Sequence, residues 1–279
     1  MQATDLIRLE LVKNIRQKYF LAGSGLILFY TVLSCLGFIT HRLINKNNKF
    51  DGIFISELMN GITFSMYCLV PGIYMLMPMI LAIFTASSLA GEFQNGQLRT
   101  TLLRPVSRWK IFLCKFISMG LYSFTMFAIL LTASYLLGAI IFAPSGDVII
   151  LGQVFLGENS IFILKESIAL QRMLMSYALA FFSSIYLVAM YMMVAALTKK
   201  VAHTIVVSLG VYYTSYILLS IPFMKYIHPF LPTKYLAVWR YPVIENIPWE
   251  RLTYDILIDT GYMFAYIVVG VILFNNSDV

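Results

Sequence analysis

The 279-residue chain is 60% hydrophobic and only 12% charged, with a mean hydropathy of +0.81. Soluble domains carry about a quarter charged residues, so this composition excludes an ordinary soluble protein and points to an integral membrane protein. The net charge of +7 falls between apolar runs, which fits membrane topology and not a nucleic-acid surface.

The chain opens with a charged, amphipathic stretch, residues 1–18, that lacks the apolar core and cleavage site of a signal peptide. Within it, 3–18 suits a helix lying on the membrane. Ile7, Leu11, Val12 and Ile15 fall on one side, and Glu10, Lys13, Arg16 and Gln17 on the other. Six apolar runs follow, over about Tyr19–Ile39, Ile62–Ala90, Ile111–Phe142, Met173–Leu197, Val201–Ile221 and Leu252–Phe274. Each supplies the roughly 20 apolar residues that cross a hydrocarbon core about 30 Å thick. The absence of water there requires them to be helices. Eleven of the 20 Lys and Arg residues crowd into the short segments on the terminal side of the membrane, Arg99, Arg104, Arg108, Lys110 and Lys115 among them. By density the positive-inside rule then places both termini in the cytoplasm.

The connections on the other side are longer. Ala143–Arg172 carries a Pro144-Ser145-Gly146-Asp147 turn signal and an apolar patch, Val148–Leu151. Residues 222–251 combine five prolines with Phe223, Tyr226, Phe230, Tyr235, Trp239, Tyr241 and Trp249. Such aromatic density suits short helices that dip into or lie along the outer leaflet. No soluble domain fits between the spans, and the chain reads as one transmembrane domain over 1–279.

Motifs for soluble catalysis are absent. The sequence contains no GxxxxGK[ST], HExxH or clustered Cys and His. Cys35, Cys68 and Cys114 read as buried free thiols, with a Cys35–Cys68 disulfide as the alternative. Asp255 and Asp259 share one face of the last span. Either they serve ion coupling, as intramembrane carboxylates often do, or interfacial water and the helix N-terminus stabilise them as structural anions. Ala82, Ala86 and Ala90 form a small-residue face that suits close helix packing within the chain or a dimer seam.

The stretch 91–110, GEFQNGQLRTTLLRPVSRWK, is a polar island between two apolar runs. Asn95-Gly96 breaks the second span, Gln97–Leu103 suits a short helix with Leu98 and Leu102 stacked, and Pro105 ends it. Ser107 is placed to cap the third span. A helix this short needs a packing partner to form.

SLAGEFQNGQLRTTLLRPVSRWKIFLCKF resembles the central signature of the ABC type-2 exporter permeases, and LPTKYLAVWRYPVIENIPWERL with its following span resembles that family's closing pattern. Asn275 and Asn276 stand where such permeases usually carry basic residues. The resemblance implies an all-α integral membrane fold. It would have six transmembrane helices, an N-terminal amphipathic elbow helix, and short re-entrant or interfacial outer helices before the last span. It implies a permease subunit in the inner (plasma) membrane, dimeric with a second permease subunit, in the simplest case identical. Two copies of a separate ABC-type ATPase would carry the ATP and Mg, with no catalytic, cofactor or metal site on this chain. Segment 91–110 would be the coupling surface, with Glu92, Gly96, Leu98, Arg99, Leu102, Leu103, Arg104, Pro105 and Arg108 as its residues and Glu92 paired to one of the arginines. An ion-coupled secondary transporter and a non-transporting scaffold in a maturation complex are the alternatives.

Overall fold

The computed structural model describes residues 3–44, 59–98, 107–155 and 161–277. Helix α1 spans Ala3–Arg16 and α2 Lys18–Ile44. The later spans are α3, Gly61–Gln94, and α4, Arg108–Ile141, then α5, Glu166–Thr198, α6, Val201–Ser220, and α7, Trp249–Asn275. Six of these seven, α2 to α7, are long and apolar enough to cross a membrane. The protein is therefore a multi-pass, essentially all-helical membrane protein.

Burial separates the spans into two layers. The apolar windows of α3 and α5 are each 67% buried, against 11% for α7 and 17% for α6. The second and fourth spans thus form the centre, and the others present most of their surface outward.

α3 is helical throughout but irregular. Pro71 and Pro78 interrupt it, and two π-helical segments, Gly72–Leu76 and Ala86–Ala90, lie within it. A proline has no N–H for the carbonyl four residues back, which for Pro78 is that of Tyr74. Tyr212 of α6 supplies a replacement, its hydroxyl donating to the Tyr74 carbonyl at 3.0 Å. Tyr213 donates in the same way to the Met75 carbonyl at 3.4 Å. Small polar groups add further bonds between spans. Ser134 Oγ donates to Ser65 Oγ and Ser65 Oγ to Tyr177 Oη, both at 3.0 Å, which links α4, α3 and α5.

Glycine permits one close crossing. A Cβ on Gly138 would lie 2.9 Å from both the Cα of Gly61 and the Cβ of Phe64. Here α3 and α4 approach backbone to backbone. Ala82, Ala86 and Ala90 are fully buried in segments that pack on α5 and α6. The dimer-seam alternative is thereby corrected, since this face is covered within the chain.

One feature departs from the sequence expectation. Val148–Leu151 is a strand, β1, paired antiparallel with β2, Ile161–Leu164, in register Val148 to Leu164. The β-branched residues of this connection satisfy their backbone groups in a hairpin, so the fold is not wholly helical. Residues 222–248 hold three 3-10 segments, Pro222–Met224, His228–Phe230 and Pro232–Val243. The last lies against the bundle. Ser183, midway along α5, is 3.5 Å from the Leu236 carbonyl, and Trp239 Nε1 donates to Tyr74 Oη at 3.3 Å. All three cysteines are free and buried. Cys35 and Cys68 share one apolar cluster with Met59 and Phe64 but are not bonded, which corrects the disulfide alternative.

Candidate functional site

The polar centre of the molecule lies where α1, the end of α3 and the start of α4 meet. Lys115, one residue beyond the second turn of α4, is fully buried. A bare ammonium in an apolar setting costs several kcal/mol, so the neighbouring elements must answer it with charge. Lys115 Nζ donates to Glu92 Oε1 at 2.7 Å and to Glu10 Oε1 at 3.0 Å. Lys13 Nζ donates to the same Glu92 oxygen. Beside them Asn14 Nδ2 donates to Ser118 Oγ at 2.6 Å. Two cations and two carboxylates thus form a neutral quartet. Among the described residues, these are the only ion pairs.

This arrangement turns part of the polar side of α1 toward the bundle. Glu10 and Lys13, on that side, join the quartet, and Asn14 is 2% exposed. Val12, on the apolar side, is exposed, the side that a helix lying on the membrane presents to lipid. Glu92 pairs with the two lysines, and of the island arginines expected to meet it Arg99 and Arg104 lie outside the described residues.

The island 91–110 is described at both ends. Helix α3 ends at Gln94, with Asn95 as its C-cap. Gly96 follows at φ 68, a left-handed conformation that glycine adopts without strain. The expected break at Asn95-Gly96 is therefore present. Leu98 is fully buried. Arg99, Leu102, Leu103, Arg104 and Pro105 lie outside the described residues. Ser107 holds the N-cap position of α4 without a side-chain cap bond, so its backbone, and not its hydroxyl, starts that helix.

Other spans gather around the same end of the bundle. Arg108 Nη1 donates to the carbonyls of Asn275 at 3.1 Å and Ser277 at 2.8 Å. A cation on the carbonyls of a helix C-terminus is favoured by their partial negative charge. Arg108 thus supplies in space the charge that Asn275 and Asn276 lack in sequence. The Phe93 ring meets Phe274 edge-on at 5.7 Å, and Gln94 Oε1 accepts the Val201 N–H at 3.2 Å. Residues 92–94 therefore touch α1, α4, α6 and α7. Sequence reasoning missed Lys13 and Lys115 as partners of Glu92, and Glu10 as the second partner of Lys115. Their one signal was a lysine inside an otherwise apolar run.

The two acidic residues of α7 differ sharply. Asp255 accepts from Tyr241 Oη at 2.5 Å. Asp259 is 2% exposed, and its Oδ1 has no hydrogen-bond partner among the described residues. Asp259 is thus buried within the bundle, whereas Asp255, one turn earlier, is only partly covered. Among the described residues, no group of three or more His, Cys, Asp or Glu side chains is arranged to hold a metal.

Together these features define a multi-pass helical membrane protein with a charged hub at one end of its bundle. The chain belongs to a family described as Protein of unknown function (DUF2705), which matches residues 10–279. It is also 35% identical over 65 residues to the "Uncharacterized protein YhcI" of Bacillus subtilis (strain 168). The matched stretch is 23% of this chain and 21% of that relative, about a fifth of its length.

Proposed function

We propose that the protein is the membrane-spanning permease subunit of an ABC exporter, driven through segment 91–110 by a separate ATPase subunit. The reading begins from the resemblance of residues 88–116 to the type-2 exporter permeases. The observation that carries it is the Glu10–Lys13–Glu92–Lys115 quartet. It ties α1 to both helices that flank the island, so a push on the island would move α1, α3 and α4 together. Arg108, Phe93 and Gln94 extend the same push to α7 and α6.

In this reading α1 is the elbow helix, both termini are cytoplasmic, and two permease subunits rock as two ATPases close on ATP. Pro232–Val243 is then a re-entrant segment. It contacts Ser183 and Tyr74, each well inside a span, and holds Arg240 with its guanidinium carbon 5.1 Å from the Tyr74 ring and 5.8 Å from the Trp239 ring. Aromatic faces offset part of the cost of a cation at depth.

The test is reconstitution of the chain with a candidate ATPase in proteoliposomes. Arg104→Glu is expected to lower transport-linked ATP hydrolysis about tenfold or more while membrane insertion is unchanged. Equal hydrolysis by the variant would count against the assignment.

A second reading, an ion-coupled carrier, draws on one observation, the buried and half-unpartnered Asp259 carboxylate. It requires solute uptake against a gradient without any ATPase.

A further inference from the structure

A cavity of about 580 Å³ opens where the 3-10 segment Pro232–Val243 meets the start of α7, and it is lined by Lys234, Tyr241, Glu250, Arg251, Tyr254 and Asp255. Its volume falls within the range of small-ligand sites. Four of its six residues are charged, two of each sign. None of the four is ion-paired, since the ion pairs among the described residues all belong to the distant quartet. Asp255 is positioned by the Tyr241 hydroxyl, which donates to its Oδ2 at 2.5 Å. Burial, then the hydrogen bond to Asp255, pushes the Tyr241 hydroxyl above its ordinary range, so it remains a donor.

Opposite charges on a protein surface ordinarily pair with one another or stand alone in water. Here both signs line one space without neutralising each other, which matches a ligand that itself carries both. The level of the cavity narrows the choice. Helix α7 has 27 residues, about 40 Å at 1.5 Å per residue, against a hydrocarbon core of about 30 Å. Its first two turns, WERLTYD, hold three of the four charged residues of the helix. Trp249 and Tyr254 stand exposed there, as aromatic rings do at the lipid–water boundary. The cavity therefore lies at the depth of lipid head groups.

We propose that this cavity binds the head group of a zwitterionic phospholipid bearing a primary ammonium, phosphatidylethanolamine. Lys234 and Arg251 take the phosphate, and Glu250 and Asp255 take the ammonium. Charge-assisted hydrogen bonds of this kind are the strong ones. The three N–H donors of a primary ammonium can be shared between carboxylates, whereas a methylated choline has none to give. The proposal is independent of what the protein transports.

The experiment measures thermal stabilisation of the purified protein in detergent, titrated with dihexanoyl-phosphatidylethanolamine. The matched choline and glycerol lipids and water-soluble O-phosphoethanolamine are titrated in parallel. The ethanolamine lipid is expected to raise Tm saturably, with half-saturation at about a tenfold lower concentration than either other lipid. Lys234→Gln and Glu250→Gln, both at exposed positions that do not threaten folding, are each expected to weaken that response about tenfold. Equal responses to the three lipids, or undiminished responses in both variants, would overturn the proposal. A response to O-phosphoethanolamine matching that of the lipid would assign the cavity to a soluble zwitterion and overturn the lipid assignment.

Discussion

Lys115 Nζ donates to Glu92 Oε1 at 2.7 Å, joining the start of one apolar helix to the end of the preceding one beneath the N-terminal helix. The bond ties the start of the island 91–110 to the helix that follows it, as an ionic latch. Such a latch holds the two ends of the segment in register.

Removing one partner of a buried ion pair leaves the other uncompensated. Lys115→Met should therefore destabilise the protein by about 3–5 kcal/mol. The double variant Lys115→Met with Glu92→Gln should lose less than the sum of the two single losses, by about 1 kcal/mol or more. Denaturant unfolding in detergent, followed by helical signal, measures both. Strict additivity would show that the latch contributes nothing.

Gly138 and Gly25 offer a matched contrast. An alanine methyl at 138 would meet Gly61 and Phe64 at 2.9 Å, whereas nothing lies within 4 Å of a Cβ at 25. Gly138→Ala is expected to cost about 1–3 kcal/mol through overpacking, and Gly25→Ala to stay within about 0.5 kcal/mol. Melting temperatures of the two purified variants decide the matter.

The Tyr212 hydroxyl substitutes for the N–H that Pro78 lacks. Tyr212→Phe should cost about 1–2 kcal/mol, near the upper end for hydrogen bonds inside membrane proteins. If the carbonyl is the reason, Tyr212→Phe combined with Pro78→Ala, which restores the N–H, should recover most of that loss. The readout is the same unfolding assay.

Asp259 separates the two functional readings. In the exporter reading, Asp259→Asn removes a buried group with an unpartnered oxygen, so expression and ATP-driven transport should both persist. In the carrier reading, the variant should fold normally and transport nothing. A single proteoliposome assay, run with and without the ATPase, gives a different result for each.

Much of this architecture was legible from composition and run length. Six spans, their order, the break at Asn95-Gly96 and the short helical segments of 222–251 follow from apolar length, glycine and proline alone. The small-residue face Ala82–Ala90 was legible as a packing surface, but its partners were not. The pairing of Glu92 with Lys13 and Lys115 was not legible, because proximity in sequence favoured the arginines of its own island. Lys13 and Lys115 reach it only once three helices are assembled.

The sequence by itself determined that this is a membrane protein of six helical spans with one charged island, because lipid permits only segments that satisfy their own backbone bonds. Only the tertiary structure decided which face of α1 turns inward, how Arg108 anchors the end of α7, and where charges stand unpaired beside a cavity. Those outcomes depend on which charges meet in space. A buried ammonium draws carboxylates from any element within reach, and linear spacing does not record that reach.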